Sequence, residues 1–255
     1  MTRAAPILAL ALLLSGCLSP PPGPDGTVDP DPYERSNRVV FAFNDGLDRF
    51  LLEPLGKGWR FITPELLRTA LDDFFVNLEF PVRAVSCLGQ ARFEHAGWET
   101  VRFLTNSTIG LAGFWDPATR WFEIPYYDED IGQMFGVWGI GSGPFWMVPF
   151  FGPLNPRDTV GLAADSFLNL LPYYGAPVAI INGRAIAVPT VERARESSLD
   201  YYLLVRDAYV QRRIRQVAER GPVTRYAEPF EDGADPYDDD LYDESLYDED
   251  PEEIE

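Results

Sequence analysis

The sequence predicts a mainly α-helical body, and three observations carry that prediction. Apolar residues recur at spacings of three and four through most of the first 110 residues, which is the period of one helix face. No convincing alternation of apolar and polar residues, the signature of a half-buried strand, occurs before residue 120. Prolines and glycines stand where helices start and stop, at Thr63-Pro64, Pro81 and Gly221-Pro222.

The chain begins with a single positive charge at Arg3, an apolar run from Ile7 to Leu14 and the tetrapeptide Leu14-Ser15-Gly16-Cys17. This is a secretory leader with a small-residue cleavage site. The tetrapeptide resembles a bacterial lipobox, which implies cleavage before Cys17 and acylation of its thiol and new amino group. Two or more acyl chains make a stable membrane anchor where one would not. Leu18 and Ser19 follow, without the aspartate that retains such proteins in the inner membrane, so the implied address is the outer membrane. From Ser19 to Pro32 the prolines favour extended structure over packing. The expected organisation is a signal peptide over 1–16, a lipidated Pro-rich tether over 17–32, a helical membrane-embedded domain over 33–220 and an acidic disordered tail over 221–255.

Within the helical region, Val40, Phe43, Leu47, Phe50 and Leu51 mark a helix from Asn37 to Leu52. Thr63 and Pro64 read as an N-cap and first turn, followed by Leu67, Leu71, Phe74 and Leu78 until Pro81 interrupts. Pro81 opens a helix with Val82, Val85 and Leu88, in which Cys87 reads as a small buried hydrophobe. Another helix runs from Phe93 towards Asn106, its Arg92, Glu94, Glu99 and Arg102 charged. The last starts near Thr190, gathers Arg212, Arg213, Arg215 and Arg220 near its end and stops at Gly221-Pro222. It is expected to dock on the domain.

Between Asp130 and Arg157 lie 26 residues without a formal charge. Six glycines and four prolines exclude a regular spanning helix, because each interior Gly costs about 1 kcal/mol and each Pro about 3. Irregular backbone at membrane depth is tolerated where protein or a water-filled cavity satisfies its amides, so a re-entrant element or channel wall suits this composition. A Gly/Pro-rich core loop of a soluble domain suits it equally. Trp115, Trp121, Tyr126, Tyr127, Trp138, Trp146, Tyr173 and Tyr174 flank or interrupt the apolar stretches, as interfacial aromatics do. The stretch Thr159 to Gly183, with Asp165 as its one charge, is broken again at Pro172, Gly175 and Pro177.

The net charge of −19 resides mostly in residues 226–255, which hold 15 Asp or Glu and no Lys or Arg, leaving −4 for the rest. No basic surface for phosphates is visible, so no nucleic-acid partner is expected. Catalytic and metal signals are weak. His95 is the one histidine, which excludes a multi-imidazole metal site. Ser107 with His95 could enter a triad, but no Gly-x-Ser-x-Gly elbow surrounds it. No catalytic residue, metal or cofactor is assigned.

Ordered motifs then resemble one family, the MlaA (VacJ) outer-membrane lipoproteins. From about Asp31 to Gln211 they are Asp31-Pro32-Tyr33-Glu34, Asn37-Arg38, Phe43-Asn44, Asn77-Leu78 before Pro81, Gln90, Arg102-Phe103 and Asn106-Ser107-Thr108-Ile109-Gly110. Gly132-Gln133, Trp138-Gly139-Ile140-Gly141, Gly143-Pro144-Phe145, Pro149, Gly152-Pro153, Arg157-Asp158 and Arg206-Asp207-Ala208-Tyr209 with Gln211-Arg212 complete the set. Asp130-Ile131 departs from the pattern, where an aromatic is common before Gly132. The resemblance implies a ring of amphipathic and interfacial helices with a Gly/Pro-rich re-entrant loop around an amphipathic channel, lipid-anchored in the outer-membrane bilayer. It implies passage of phospholipid misplaced in the outer leaflet to a soluble periplasmic lipid-binding carrier, beside trimeric porins. Cys17 would be the anchor, and Gly139, Gly141, Gly143 and Pro144 the channel loop and its hinge. Arg157 and Asp158 are expected to pair. A scaffolding lipoprotein and a surface phospholipase are the rival classes.

Overall fold

The computed structural model describes residues 31–169, 175–218, 221–223 and 225–226. The leader, Cys17, most of the tether, Tyr173, Tyr174 and nearly all of the acidic tail lie outside the described residues. The chain divides into two units, Met1–Val223 and Thr224–Glu255, and every helix and strand described belongs to the first.

Ten α-helices and one two-stranded hairpin dominate the described residues, so the mainly helical class holds. Helix α1 (Glu34–Leu47) continues through a π-helical turn (Asp48–Leu52) into α2 (Glu53–Ile62). Pro54 explains the interruption: it has no N–H to return to the Phe50 carbonyl, and the ladder widens by one residue there. Next come α3 (Glu65–Leu78), α4 (Phe80–Gly89), α5 (Phe93–Thr108) and the short α6 (Pro117–Arg120), with Pro81 in the first turn of α4. Thr63 does not cap α3; its hydroxyl bonds back to the Trp59 carbonyl and closes α2 instead.

The uncharged segment resolves into α7 (Ile131–Val137), an irregular stretch and an antiparallel hairpin of β1 (Trp146–Val148) and β2 (Gly152–Leu154), in register Met147 opposite Pro153. Helix α8 (Pro156–Leu168) follows. Side-chain caps set both helix starts: Asp130 accepts from the Gln133 N–H at 2.7 Å and Asn155 from the Asp158 N–H at 2.8 Å.

The expected last helix is two. Helix α9 (Ala176–Ser197) starts earlier than Thr190, and α10 (Tyr201–Ala218) restarts after Asp200, whose carboxylate accepts from the N–H groups of Tyr202 and Leu203. Pro189 lies inside α9, and the Ala185 carbonyl it frees accepts from Arg60 Nη1 at 3.1 Å. At the same level a Cβ on Gly56 would stand 3.3 Å from the Ala185 nitrogen, so the absent side chain lets α2 and α9 approach. Helix α10 docks as expected: Tyr202 is buried with Phe145 and Met147 of the hairpin, against Val40, Phe41, Leu203 and Val210.

Burial is inverted relative to an ordinary soluble domain. Among the described residues eighteen polar or charged residues are buried against thirteen apolar ones, and thirty-four large apolar residues are exposed. Phe61 is 91% exposed and Phe50 88%, and neither has a role in the core. No described helix is long and apolar enough to cross a membrane.

Candidate functional site

The interior is held by arginine–carboxylate pairs that the helices present at three- and four-residue spacing. On α5, Glu99, Arg102 and Asn106 share one face and are all buried. Glu99 receives Arg83 Nε of α4 at 2.7 Å and the Tyr127 N–H at 2.9 Å. Arg102 donates to Asp116 at 2.9 Å and to the Ile124 carbonyl at 2.7 Å, while Asn106 donates to Asp116 and accepts the Ala118 N–H. The Tyr126 ring lies between the guanidinium groups of Arg83 and Arg102, each 5.2 Å from its centre. Tyr127 is buried and Tyr126 partly so, and both pack on the interior groups described.

A second charged group joins α1, the π turn and α2 to α9. Arg184 makes a forked pair with Asp48 at 2.6 and 2.8 Å. Arg195 bridges Asp45, Asp48 and Glu53 at 2.6 to 2.7 Å. Burial alone would raise the Asp48 carboxyl, but these two arginines hold it below the usual carboxylate range. Lys57, half exposed, joins Glu53 to Glu192. Beside them opens a cavity of about 470 Å³ lined by Arg49, Glu53, Glu192, Arg195 and Glu196.

The Gly/Pro segment is fastened to α1 by two asparagines. Asn37 donates to the Phe145 carbonyl at 3.2 Å and accepts the Met147 N–H at 2.9 Å, as a neighbouring strand would. Seven residues on, Asn44 repeats the pattern with the Val148 carbonyl at 3.0 Å and the Phe150 N–H at 2.9 Å. Asn37 also donates to Asp31, which accepts from the Tyr202 hydroxyl. The exposed edge of β1 is thereby closed by side chains.

The residues expected to matter fall out unequally. Gly139 and Gly143 adopt φ of +85° and +73°, which glycine tolerates and other residues resist, whereas Gly141 has no positive φ. A Cβ on Gly139 would meet open space, so conformation alone requires glycine there. Pro144 directly precedes Phe145, the first residue gripped by Asn37. Arg157 pairs with Asp158 at 2.9 Å, as expected. Cys87 is fully buried and burial, with the charges of Glu129 and Glu99, pushes its thiol up to about 12, so it is an unreactive packing residue. Ser107 and His95 are not brought together: twelve residues apart on α5, they are separated by roughly 18 Å of helix rise. Ser107 accepts from Asn77 and His95 stacks on Tyr127. The α5 triad Glu99, Arg102 and Asn106 and the paired Asn37 and Asn44 were readable only as polar residues at helical spacing.

A model of the MlaA lipoprotein family matches residues 29–216. The chain belongs to the MlaA lipoprotein family. An intermembrane phospholipid transport system lipoprotein MlaA of Escherichia coli K12 is 34% identical over 217 residues, 80% of this chain and 85% of that one. Its Haemophilus influenzae counterpart is 28% identical over 80% of this chain and 86% of its own length. An uncharacterized protein of Rickettsia felis is 32% identical over 70% of this chain and 74% of that one. A solved structure from work on the structural basis for maintenance of bacterial outer membrane lipid asymmetry matches with a TM-score of 0.64 and 29% identity. It covers 73% of this chain and 98% of that one. The MlaA match thus spans the apolar shell, both charged groups and the asparagine-fastened hairpin.

Proposed function

We propose that this protein is a lipid-anchored outer-membrane protein that removes phospholipid from the outer leaflet and passes it towards the periplasm, without catalysis. The carrying observation is the inverted burial: thirty-four large apolar side chains outside and charged pairs inside. An apolar surface of that extent marks contact with membrane or protein, and with no helix among the described residues long and apolar enough to span, it fits a body sunk in the lipid. The names of the MlaA relatives in Escherichia coli and Haemophilus influenzae support phospholipid as cargo.

A headgroup moved through hydrocarbon loses its hydration at a cost of many kcal/mol, and a polar path lowers that cost. The cavity between the π turn and α9 carries both signs of charge, which suits a zwitterionic or anionic headgroup while acyl tails stay on apolar walls. The hairpin and the segment before it, with the positive-φ glycines Gly139 and Gly143, Gly141 between them and Pro144 directly after, form the loop that flanks this path. Cys17 holds the body to the membrane, trimeric porins are its neighbours and a soluble periplasmic carrier accepts the lipid.

The test is outer-leaflet phospholipid in cells lacking the protein. Surface phospholipid is expected to rise without release of fatty acid and to return to normal with the intact chain. Unchanged leaflet composition would favour a scaffold, and fatty-acid release by the purified protein would favour a phospholipase.

A further inference from the structure

We infer that the seat of α7 on α8 is a proton-operated latch whose working group is the carboxylate of Asp165. It stands apart from the lipid reading, being a property of the folded chain alone.

Two features hold the start of α7 against α8. Asp165 Oδ1 accepts from the N–H of Ile131, the first residue of α7, at 3.2 Å. One turn earlier on α8, a Cβ on Gly161 would lie 2.4 Å from the nitrogen of Gly132, so the two backbones touch there with no side chain between them. Helix α7 runs directly into the segment that contains Gly139 and Gly143.

Charge around the seat does not balance. Arg213 of α10 donates to Asp130 at 2.6 and 3.1 Å and to Asp158 at 2.7 Å. Arg157 and the Tyr209 hydroxyl also serve Asp158. Arg212 is mostly exposed and turned to Asp128 at 2.9 Å. Arg213 and Arg157 are thus taken up by Asp130 and Asp158, and Asp165 is a third carboxylate with no ion pair among the described residues. Glu79, at the end of α3, adds like charge. Asp165 lies on the wall of a cavity of about 220 Å³ whose lining residues are mostly polar, with Asp130, Asp158, Arg212 and Arg213 beside the apolar Leu154 and Leu162.

Burial, then the charge of Asp130, pushes the Asp165 carboxyl up to about 7, and the Ile131 N–H and Arg213 offset only part of this. The proton is bound more tightly in the folded state than in the unfolded one. Stability from this group is therefore fully present below about pH 4 and is lost as pH rises to about 7. Below neutrality the acid is uncharged and α7 is seated. Above it, an uncompensated carboxylate faces Asp130, and α7 loosens at the point where it leads into the glycine segment.

The experiment is hydrogen–deuterium exchange by mass spectrometry on the full chain in detergent at pH 6 and pH 8.5, corrected for the intrinsic pH dependence. Peptides covering 131–137 are expected to exchange at least about threefold faster at the higher pH, while α1 peptides do not change. Asp165→Asn keeps an oxygen for the Ile131 N–H and removes the titration, so its α7 should exchange equally at both pH values. Should that variant fail to fold, Asp130→Asn serves: with the like charge removed, the α7 transition should move to lower pH, and a transition that stays in place or moves to higher pH overturns the latch. Equal exchange at both pH values in the unaltered protein, or an identical pH response in Asp165→Asn, overturns the latch.

Discussion

The two arginine–carboxylate groups of this protein use the same chemistry in different surroundings. Around α5, Glu99 and Asp116 have no exposed side-chain surface and their arginines almost none. Between the π turn and α9, Asp45, Asp48 and Glu53 keep 16 to 18% exposure, and Glu53 with their shared Arg195 lines a charged cavity. In the first group every oxygen is committed to a protein donor, which makes it a fastening of the fold. In the second, water reaches the pairs and screens them, so they contribute less to stability and remain able to exchange partners. The contrast separates what holds the helices from what a moving headgroup could touch.

The largest effect expected from breaking this contrast is at the dry group. Arg102→Ala leaves Asp116 buried without its guanidinium and should cost about 3–5 kcal/mol, measured by denaturant unfolding in detergent. Asn37→Ala strips partners from the Phe145 carbonyl and the Met147 N–H and should cost about 1–3 kcal/mol in the same measurement. At the less buried group, Arg195→Ala leaves Asp45, Asp48 and Glu53 without their shared guanidinium and should cost less than the dry-group variant, about 1–3 kcal/mol near neutral pH. It should still raise surface phospholipid in cells if this group lines the path, and a change in stability alone would separate the two roles.

The acid limb sharpens the same comparison. The Asp48 carboxyl is held below its ordinary range, so its contribution is present above about pH 4 and lost as pH falls further. Arg195→Ala should bring the acid unfolding midpoint up towards pH 4, read by helical circular dichroism. The smallest effect concerns the loop. Gly139→Ala, at φ +85°, should cost about 1 kcal/mol, whereas Gly141→Ala should cost little because no positive φ constrains it.

Helix positions were legible because the three-and-four spacing depends on geometry, whatever the helix faces. Which side faces inward was not. Phe43 of α1 with Phe50 and Leu51 of the π turn mark an amphipathic helical stretch, yet they are exposed and Asn37 is the residue of α1 that is buried. The usual inference from apolar stripe to core presumes water outside, and it inverts wherever lipid takes the place of water, as the proposed function requires. The glycine segment was legible as non-helical over its length but not as a short helix and hairpin, since the asparagines that fasten β1 lie more than 100 residues earlier. The break at Ser198–Asp200 went unread because Leu199 and Leu203 continue the apolar spacing across it, and Leu199 proves fully exposed. Motif order identified the family; the charged pair networks came from tertiary structure alone.

Quenching of single tryptophans by brominated phospholipids tests the embedded body most directly. With the other tryptophans replaced by Phe, Trp121, exposed on the apolar outside, should be quenched strongly in vesicles. Trp59, whose indole N–H is held by Asn182 within the helix seam, should be quenched weakly. Equal protection of both, in a protein that stays monodisperse without detergent, would contradict an apolar shell in lipid around a polar interior.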